Sequence, residues 1–307
     1  MCQKIVLLFF CFLVMTGLHS NAQDSSSFWK PAHSYNKTRG KIVGIGLGTT
    51  YVVSMTGLYY LWYADYELGK FHLFNDNDEW LQMDKVGHFG SAYYLGKWGI
   101  DLMQWTGMPQ KKAAWVGGSL GFAFLTTIEV FDGFSQEWGF SSADMITNVA
   151  GSAMAISQEL LWQEQRMNVK FSFYPSKYNQ YNRKLLGNNF PETLFKDYNG
   201  QTYWLSANIK SFLKEDAKFP SWLNIAVGYG AEGMTGARDN TNLGITDSNK
   251  FQRYRQFYLS PDIDLTKIKT SNGTLKTIFG VFGFLKIPLP ALELNNQKNI
   301  QFHWLYF

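Results

Sequence analysis

Asp84 and His88, in "MDKVGHFG", stand four residues apart, so a helix would put a carboxylate and an imidazole on one face. Glu129 and Asp132 in "IEVFDGF", three apart, and Asp144 and Asn148 in "SSADMITNVAG", four apart, would likewise share a helix face. Carboxylates beside a single imidazole can share a proton as general acid and base, or hold a divalent ion between them. Asp84, His88, Glu129, Asp132 and Asp144 are therefore the candidate catalytic groups, and Asp84, His88, Glu129 and Asp132 the candidate metal ligands. One imidazole among carboxylates suits Mg, Mn or Fe, or Zn in a mixed set.

A structural reading of the same residues competes with this one. Ser141 and Asp144 fit a capping box at a helix start, and Asp84 suits the positive end of a helix dipole. Glu129 and Asp132 have Lys85 as a possible ion-pair partner. His88 can be a packing histidine, Asn148 a bridge between helices, and Gly151 a point of close approach. Lys85, Ser141 and Asn148 are accordingly taken as structural polar residues. No G-x-S-x-G elbow or H-E-x-x-H pair is present, and Ser135 in "GFSQEWG" has no second histidine near it, so serine-hydrolase and zincin mechanisms gain no support.

The elements that must position these groups are helices. Residues 42–62 form an uncharged run long enough to cross a bilayer, with Gly44 and Gly48 offering a neighbouring helix close approach. Helices are expected over about 84–105, 112–131 and 142–163, joined by "TGMPQKK" and "DGFSQEWGFS". Short connections imply antiparallel neighbours, hence a membrane-associated four-helix up-and-down bundle. That topology gathers the start of the second helix, the end of the third and the start of the fourth at one end. Lys37, Arg39, Lys41, Lys111 and Lys112 collect at the other, which would face the cytoplasm if an inner membrane holds the bundle.

From about residue 167 the texture changes to short aromatic and β-branched segments: "VKFSFYP", "TYWLSANIKSF", "WLNIAVGYG", "RQFYLSPDIDL" and "IQFHWLYF". Asn188-Asn189, Asn199-Gly200, Asn272-Gly273 and Asn295-Asn296 supply turn signals. In the last segment Ile300, Phe302, Trp304 and Tyr306 alternate with Gln301 and His303. "LKTIFGVFGFL" reads as another strand or a short amphipathic helix, the helix favoured because "KIPLP" ends it. The fold class is thus α+β, a helical bundle over 42–166 followed by a β-rich antiparallel region over 167–307. That region is either barrel-like or a sheet docked on the helices or the membrane surface.

Aromatic and charged residues each make up 17% of the chain, a balance that favours membrane association over an ordinary cytosolic enzyme. The net charge of +4 is spread along the chain, so no nucleic-acid partner is expected. Lys4, the apolar run Ile5 to Val14, and Ser20 and Ala22 before Gln23 read as a secretory leader over 1–22, followed by a polar linker over 23–41. Both cysteines, Cys2 and Cys11, fall in that leader, so no disulfide framework is expected. Cys11 in "LFFCFL" lacks the setting of a lipid-attachment cysteine.

The ordered set D-K-x-x-H at Asp84, Lys85 and His88, E-x-x-D at Glu129 and Asp132, and S-x-x-D-x-x-x-N-x-x-G at Ser141, Asp144, Asn148 and Gly151 resembles the YfiM-like family of predicted periplasmic lipoproteins. More distantly it resembles VanZ-type membrane proteins. The resemblance covers about residues 42–163 and implies a shared site without naming a reaction; the lipid-attachment cysteine is absent here. Two functions follow as expectations. One is an exported envelope protein, structural or for assembly, at the outer membrane or a periplasm-facing membrane, with membrane lipid and other envelope proteins as partners. The other is a metal-dependent or acid–base hydrolase or transferase acting on an envelope lipid.

Overall fold

The computed structural model describes residues 28–64, 66–240, 251–295 and 300–307. The expected leader, both cysteines and Asn296 lie outside the described residues. The first helix, α1, spans Lys37–Leu58, and Asn36 caps its start by accepting the Arg39 N–H at 3.0 Å. After one widened turn at Tyr59–Tyr63, a long loop leads to α2 (Met83–Trp105). Then come α3 (Gln110–Gly118), α4 (Leu120–Phe134) and α5 (Ser142–Trp162). The single helix expected over 112–131 is thus interrupted at Ser119, where α2 presses most closely.

That closeness rests on missing side chains. A Cβ on Gly117 would lie 2.4 Å from the Gly99 carbonyl carbon, and one on Gly151 would lie 2.2 Å from the Phe89 carbonyl oxygen. Gly151→Ala is therefore expected to force α5 off α2 and cost about 1–3 kcal/mol. A denaturant melt that matches the parent would show that the two helices are not locked at this point.

Helix directions alternate as an up-and-down bundle requires, but only α2, α3–α4 and α5 share a core. Tyr93, Tyr94, Ile100 and Ala155 form its centre. Of α1 only Val43 is buried. It touches the rest through Arg39 over the Trp105 ring (4.6 Å), Tyr51 to Thr127 (3.0 Å), and Tyr63 at its end. No atom comes within 4 Å of a Cβ placed on Gly44 or Gly48, so the four-helix bundle is corrected to a three-helix core with an apolar helix alongside. Two helical runs, Lys37–Tyr63 and Gln110–Phe134, are long and apolar enough to cross a membrane.

The second half is one antiparallel sheet in sequence order: β1 (Met167–Phe173), β2 (Gln201–Asn208), β3 (Leu223–Glu232), β4 (Tyr254–Ile263), β5 (Leu289–Asn295) and β6 (Gln301–Tyr306). Short helices α6 (Arg183–Leu186) and α7 (Phe190–Lys196) lie between β1 and β2, and α8 (Gly273–Phe282) fills the segment read as an amphipathic helix. The sheet is open: β1 and β6 do not pair, which removes the closed-barrel alternative for the described residues. It is nevertheless strongly curled. β2 and β6 are four strand spacings apart, about 19 Å if flat. Yet Thr202 Oγ1 on β2 lies 3.1 Å from Tyr306 Oη on β6, and Lys170 on β1 meets Asp262 on β4 at 2.9 Å.

The curl encloses polar residues. Ser206, Asn224, Gln256, Tyr258, Asp262 and Glu293 are buried on the concave side, while Ile225, Val227, Phe257, Leu259, Leu292 and Leu294 are exposed on the convex side. One extra residue in β6, between the pairs Ala291–His303 and Leu289–Tyr306, shifts the alternation. Tyr306 therefore joins His303 on the concave side, where its hydroxyl donates to Tyr258 at 2.8 Å, rather than following Phe302 and Trp304 outward.

Candidate functional site

Four peptide segments converge at one end of the helical core. The loop after α1 is strapped to the α4–α5 connection by backbone bonds, among them His72 N–H to Gly133 O (2.9 Å) and Phe140 N–H to His72 O (3.0 Å). This brings Asp76 against Ser141, whose hydroxyl donates to Asp76 Oδ1 at 2.8 Å. The same hydroxyl accepts the Asp144 N–H at 3.1 Å and so caps α5. The capping box is only half formed: the Ser141 N–H goes to Glu129 Oε2 (3.0 Å), not to Asp144. Asp144 is turned inward instead.

Its partner there is Lys85. The Lys85 ammonium sits 2.6 Å from Asp76 Oδ2, 2.9 Å from Asp144 Oδ1 and 3.6 Å from Asp84 Oδ2. Lys85 thus pairs with these three acids rather than with Glu129 and Asp132. Burial works against its charge, but Asp84 and Asp144 outweigh this and hold its pKa above the usual lysine range.

His88 lies beside this ion group. Its Nδ1 is 3.0 Å from Asn148 Oδ1, so with that amide orientation Nδ1 carries the proton. Nε2 then points at Glu129 Oε1 (3.6 Å) and Asp84 Oδ1 (3.9 Å). Glu129 Oε1 is buried and has no hydrogen-bond partner. A lone pair facing two carboxylate oxygens is unfavourable unless a proton or a cation sits between them. Asp84, His88 and Asp144 each offer an atom within 4.8 Å of the others, close enough for one ion. Asp132 stands apart, its Oδ1 accepting from the Tyr63 hydroxyl at 2.6 Å.

All eight residues singled out from the sequence therefore meet at one end of the core, though in different roles. Three further groups complete the cluster. Asp76 belongs to the acidic "NDNDEW" loop between α1 and α2. Tyr63 ends α1. Tyr198, in the turn before β2, donates to Asp84 Oδ1 at 2.5 Å and comes from the β-rich half, 114 residues away. Five carboxylates thus face one lysine and one histidine. A cleft of about 320 Å³, walled by Leu73 to Asn77 and Ser141 to Ala143, opens beside Asp76.

The start of α2 is held under strain. Trp80, Leu81 and Gln82 have φ of 47°, 51° and 64°, a left-handed turn without glycine. Such residues cost about 1–2 kcal/mol each. The sheet half supplies the restraint: Trp80 N–H donates to Ala237 O (2.7 Å), Tyr229 Oη to Leu81 O (2.5 Å), and Arg255 Nη2 to Gln82 Oε1 (2.5 Å). Met83 is fully buried against Ala231 and Met234. The sheet thereby fixes where Asp84, Lys85 and His88 stand.

The electrostatics give a pH dependence. Burial, followed by the neighbouring Asp84, pushes Asp144 up to about 7. Burial opposes charge on His88, but Asp84, Asp144 and Glu129 outweigh it and raise its pKa. Both groups bind protons more tightly folded than unfolded, so both stabilise at low pH and lose that contribution as pH rises through the folded values. The metal-free protein is expected to melt at a lower temperature at pH 8 than at pH 5.5, with the slope flattened in Asp144→Asn. A melting point that climbs over this range would contradict the assignment.

Residues 72–159, which carry every site residue except Tyr63 and Tyr198, match the model of a family described as predicted periplasmic lipoprotein (DUF2279), which fits an exported cell-envelope protein. No curated protein and no solved structure matches the chain.

Proposed function

We propose that the chain is a membrane-associated envelope protein with a structural or assembly role, in which the polar cluster locks the helical half to the sheet half. The observation that carries this reading is Lys85: its ammonium already occupies the centre of Asp76, Asp84 and Asp144, where a bound ion would otherwise be needed. Tyr198 from the sheet half holds Asp84 from the other side. Apolar α1 and the exposed apolar sheet face support membrane lipid as a partner, with other envelope proteins beside it, at the outer membrane or a periplasm-facing membrane.

A second reading rests on a separate observation. Glu129 Oε1 is buried without a partner, 3.6 Å from His88 Nε2, with Asp84 Oδ1 facing the same space. These atoms fit a divalent ion or a shared proton, as a hydrolase or transferase acting on an envelope lipid would require. Asp132, turned to Tyr63, would support rather than ligate.

Metal content and thermal melts of the purified protein and His88→Ala separate the two. The structural reading expects no stoichiometric metal and a clearly lower melting point in the variant. Near-stoichiometric metal in the parent, lost from a variant that still melts cooperatively, would overturn it in favour of the metal site.

A further inference from the structure

We propose that the convex face of the sheet is a lipid-contacting surface, seated in the outer hydrocarbon of one leaflet with its strands lying along the membrane. The proposal deepens the membrane association argued above and rests on it. It starts from inverted polarity. In a water-soluble sheet the buried face is apolar and the exposed face polar. Here Lys170, Asp262 and Lys286 are sealed on the concave side with 0% side-chain exposure, while Val227 and Leu294 stand outward at 54% and 56%. The outward positions of the middle strands include Ile225, Val227, Phe257, Leu259, Leu292 and Leu294, and their one charge, Arg255, lies at the end of β4 where it bonds Gln82 beside α2. Contiguous apolar surface of this kind marks an interaction site.

Shape selects the occupant. The contacts from β2 to β6 and from β1 to β4 show a strong curl, so the apolar side is convex. Two rigid convex faces meet only along a line, so a second copy would leave most of this surface wet. Fluid acyl chains conform to it. The depression between Ile225, Leu259, Leu292 and Phe302, about 380 Å³, follows the same contour and is walled almost wholly by apolar groups.

Curl also settles the depth. An unpaired strand edge is not tolerated in hydrocarbon. Curling lifts β1 and β6 away from the surface on which β3 to β5 rest. The β1 edge is in addition occupied by Phe284 to Lys286, through Phe171 N–H to Phe284 O (2.7 Å) and Lys286 N–H to Phe171 O (2.9 Å). Shallow seating of about 5–10 Å, as for interfacial helices, buries the middle strands and leaves the edges at the wet boundary. At one end of the strands, the β2–β3 connection carries exposed Phe212 and Trp222 with Lys214 and Lys218. Exposed Glu215 and Asp216 lie between the two lysines, so the segment carries no strong net charge, and it is the aromatic rings with the lysine stems that match headgroup anchors at that level.

Single cysteines at Val227, Leu292 and, as a control on the helical half, exposed Glu137 would carry an environment-sensitive fluorophore in a Cys2→Ser, Cys11→Ser background. Each full-length protein is mixed with vesicles of phosphatidylethanolamine and phosphatidylglycerol and checked by flotation. The expected result is a blue shift at Val227 and Leu292, quenching by acyl-chain bromine and protection from iodide, with the reverse at Glu137. If the protein floats but both convex labels stay open to iodide, the sheet seat is wrong and an apolar segment elsewhere in the chain accounts for membrane association. If the labels are shielded from both quenchers and paired spin labels at Val227 show a nearby second copy, the face is a dimer contact and the proposal falls. Failure to float would overturn both the seat and the membrane reading on which it rests.

Discussion

Lys85→Met is expected to lower the unfolding free energy by about 3–5 kcal/mol, the cost of leaving buried charges without their counter-ion. Among the described residues the ammonium is the one cation that lies within ion-pair distance of Asp76, Asp84 and Asp144 together. Its side chain is only 9% exposed, so water does not replace it. Methionine keeps the length and apolar stem, which confines the change to the charge. The carboxylates would respond by taking up protons, so the deficit should shrink toward acid pH. Lys85→Met combined with Asp144→Asn should recover part of the loss, because the second change removes one of the stranded charges. A divalent ion that restores the single variant, but not the double, would show that these acids accept a metal in place of the ammonium. A denaturant midpoint within error of the parent would mean that Lys85 is not what balances the cluster.

Much of this site is legible in the sequence because helical periodicity is local. Asp84 with His88, Glu129 with Asp132, and Asp144 with Asn148 need only the three- or four-residue spacing of a helix turn to share faces. Short loops then bring the three helix ends together. The remaining members follow no period. Asp76 lies in a loop whose path is set by backbone bonds to the α4–α5 connection. Tyr198 reaches Asp84 only because the sheet half folds back on α2. The left-handed turn at Trp80, Leu81 and Gln82 is equally invisible, since its residues do not favour that backbone and the restraint comes from Ala237, Tyr229 and Arg255.

The two halves differ in the same way at the level of fold. Strands β1 to β4 and β6 stand out as alternating aromatic and β-branched segments. β5 escaped because Pro288 and Pro290 flank its start, and proline argues against a strand interior. The uncharged run of α1 is plain, but an apolar helix reads alike in a bundle core and against a membrane; its lack of a packing partner at Gly44 and Gly48 appears only in three dimensions. Alternation identifies two faces of a sheet without saying which is inside. Here the polar face is inside, and a one-residue bulge in β6 is enough to move Tyr306 to it.

The consequence is sharpest at Asp262. Its carboxylate lies 2.9 Å from the Lys170 ammonium and 3.7 Å from that of Lys286, and accepts from Ser206 Oγ at 2.6 Å. All three ionic side chains have 0% exposure, so one acid compensates two buried lysines. Asp262→Asn should therefore cost at least as much as breaking an ordinary buried pair, about 3–5 kcal/mol. Lys286→Met is expected to be far milder. It removes a contact over the Trp204 ring at 5.1 Å, but also one buried charge, and leaves Lys170 and Asp262 as a balanced pair. The order of the two variants is thus the test: an Asp262→Asn protein as stable as Lys286→Met would show that the lysines do not depend on this acid. Because the sheet supplies Tyr198 and the clamp on the start of α2, loss of the sheet should reach the cluster as well. In Asp262→Asn the pH-dependent part of the helical melt should weaken along with the sheet. If the sheet melts early while that pH dependence persists unchanged, the two halves are not coupled through Asp84, and the locking role proposed for the cluster fails.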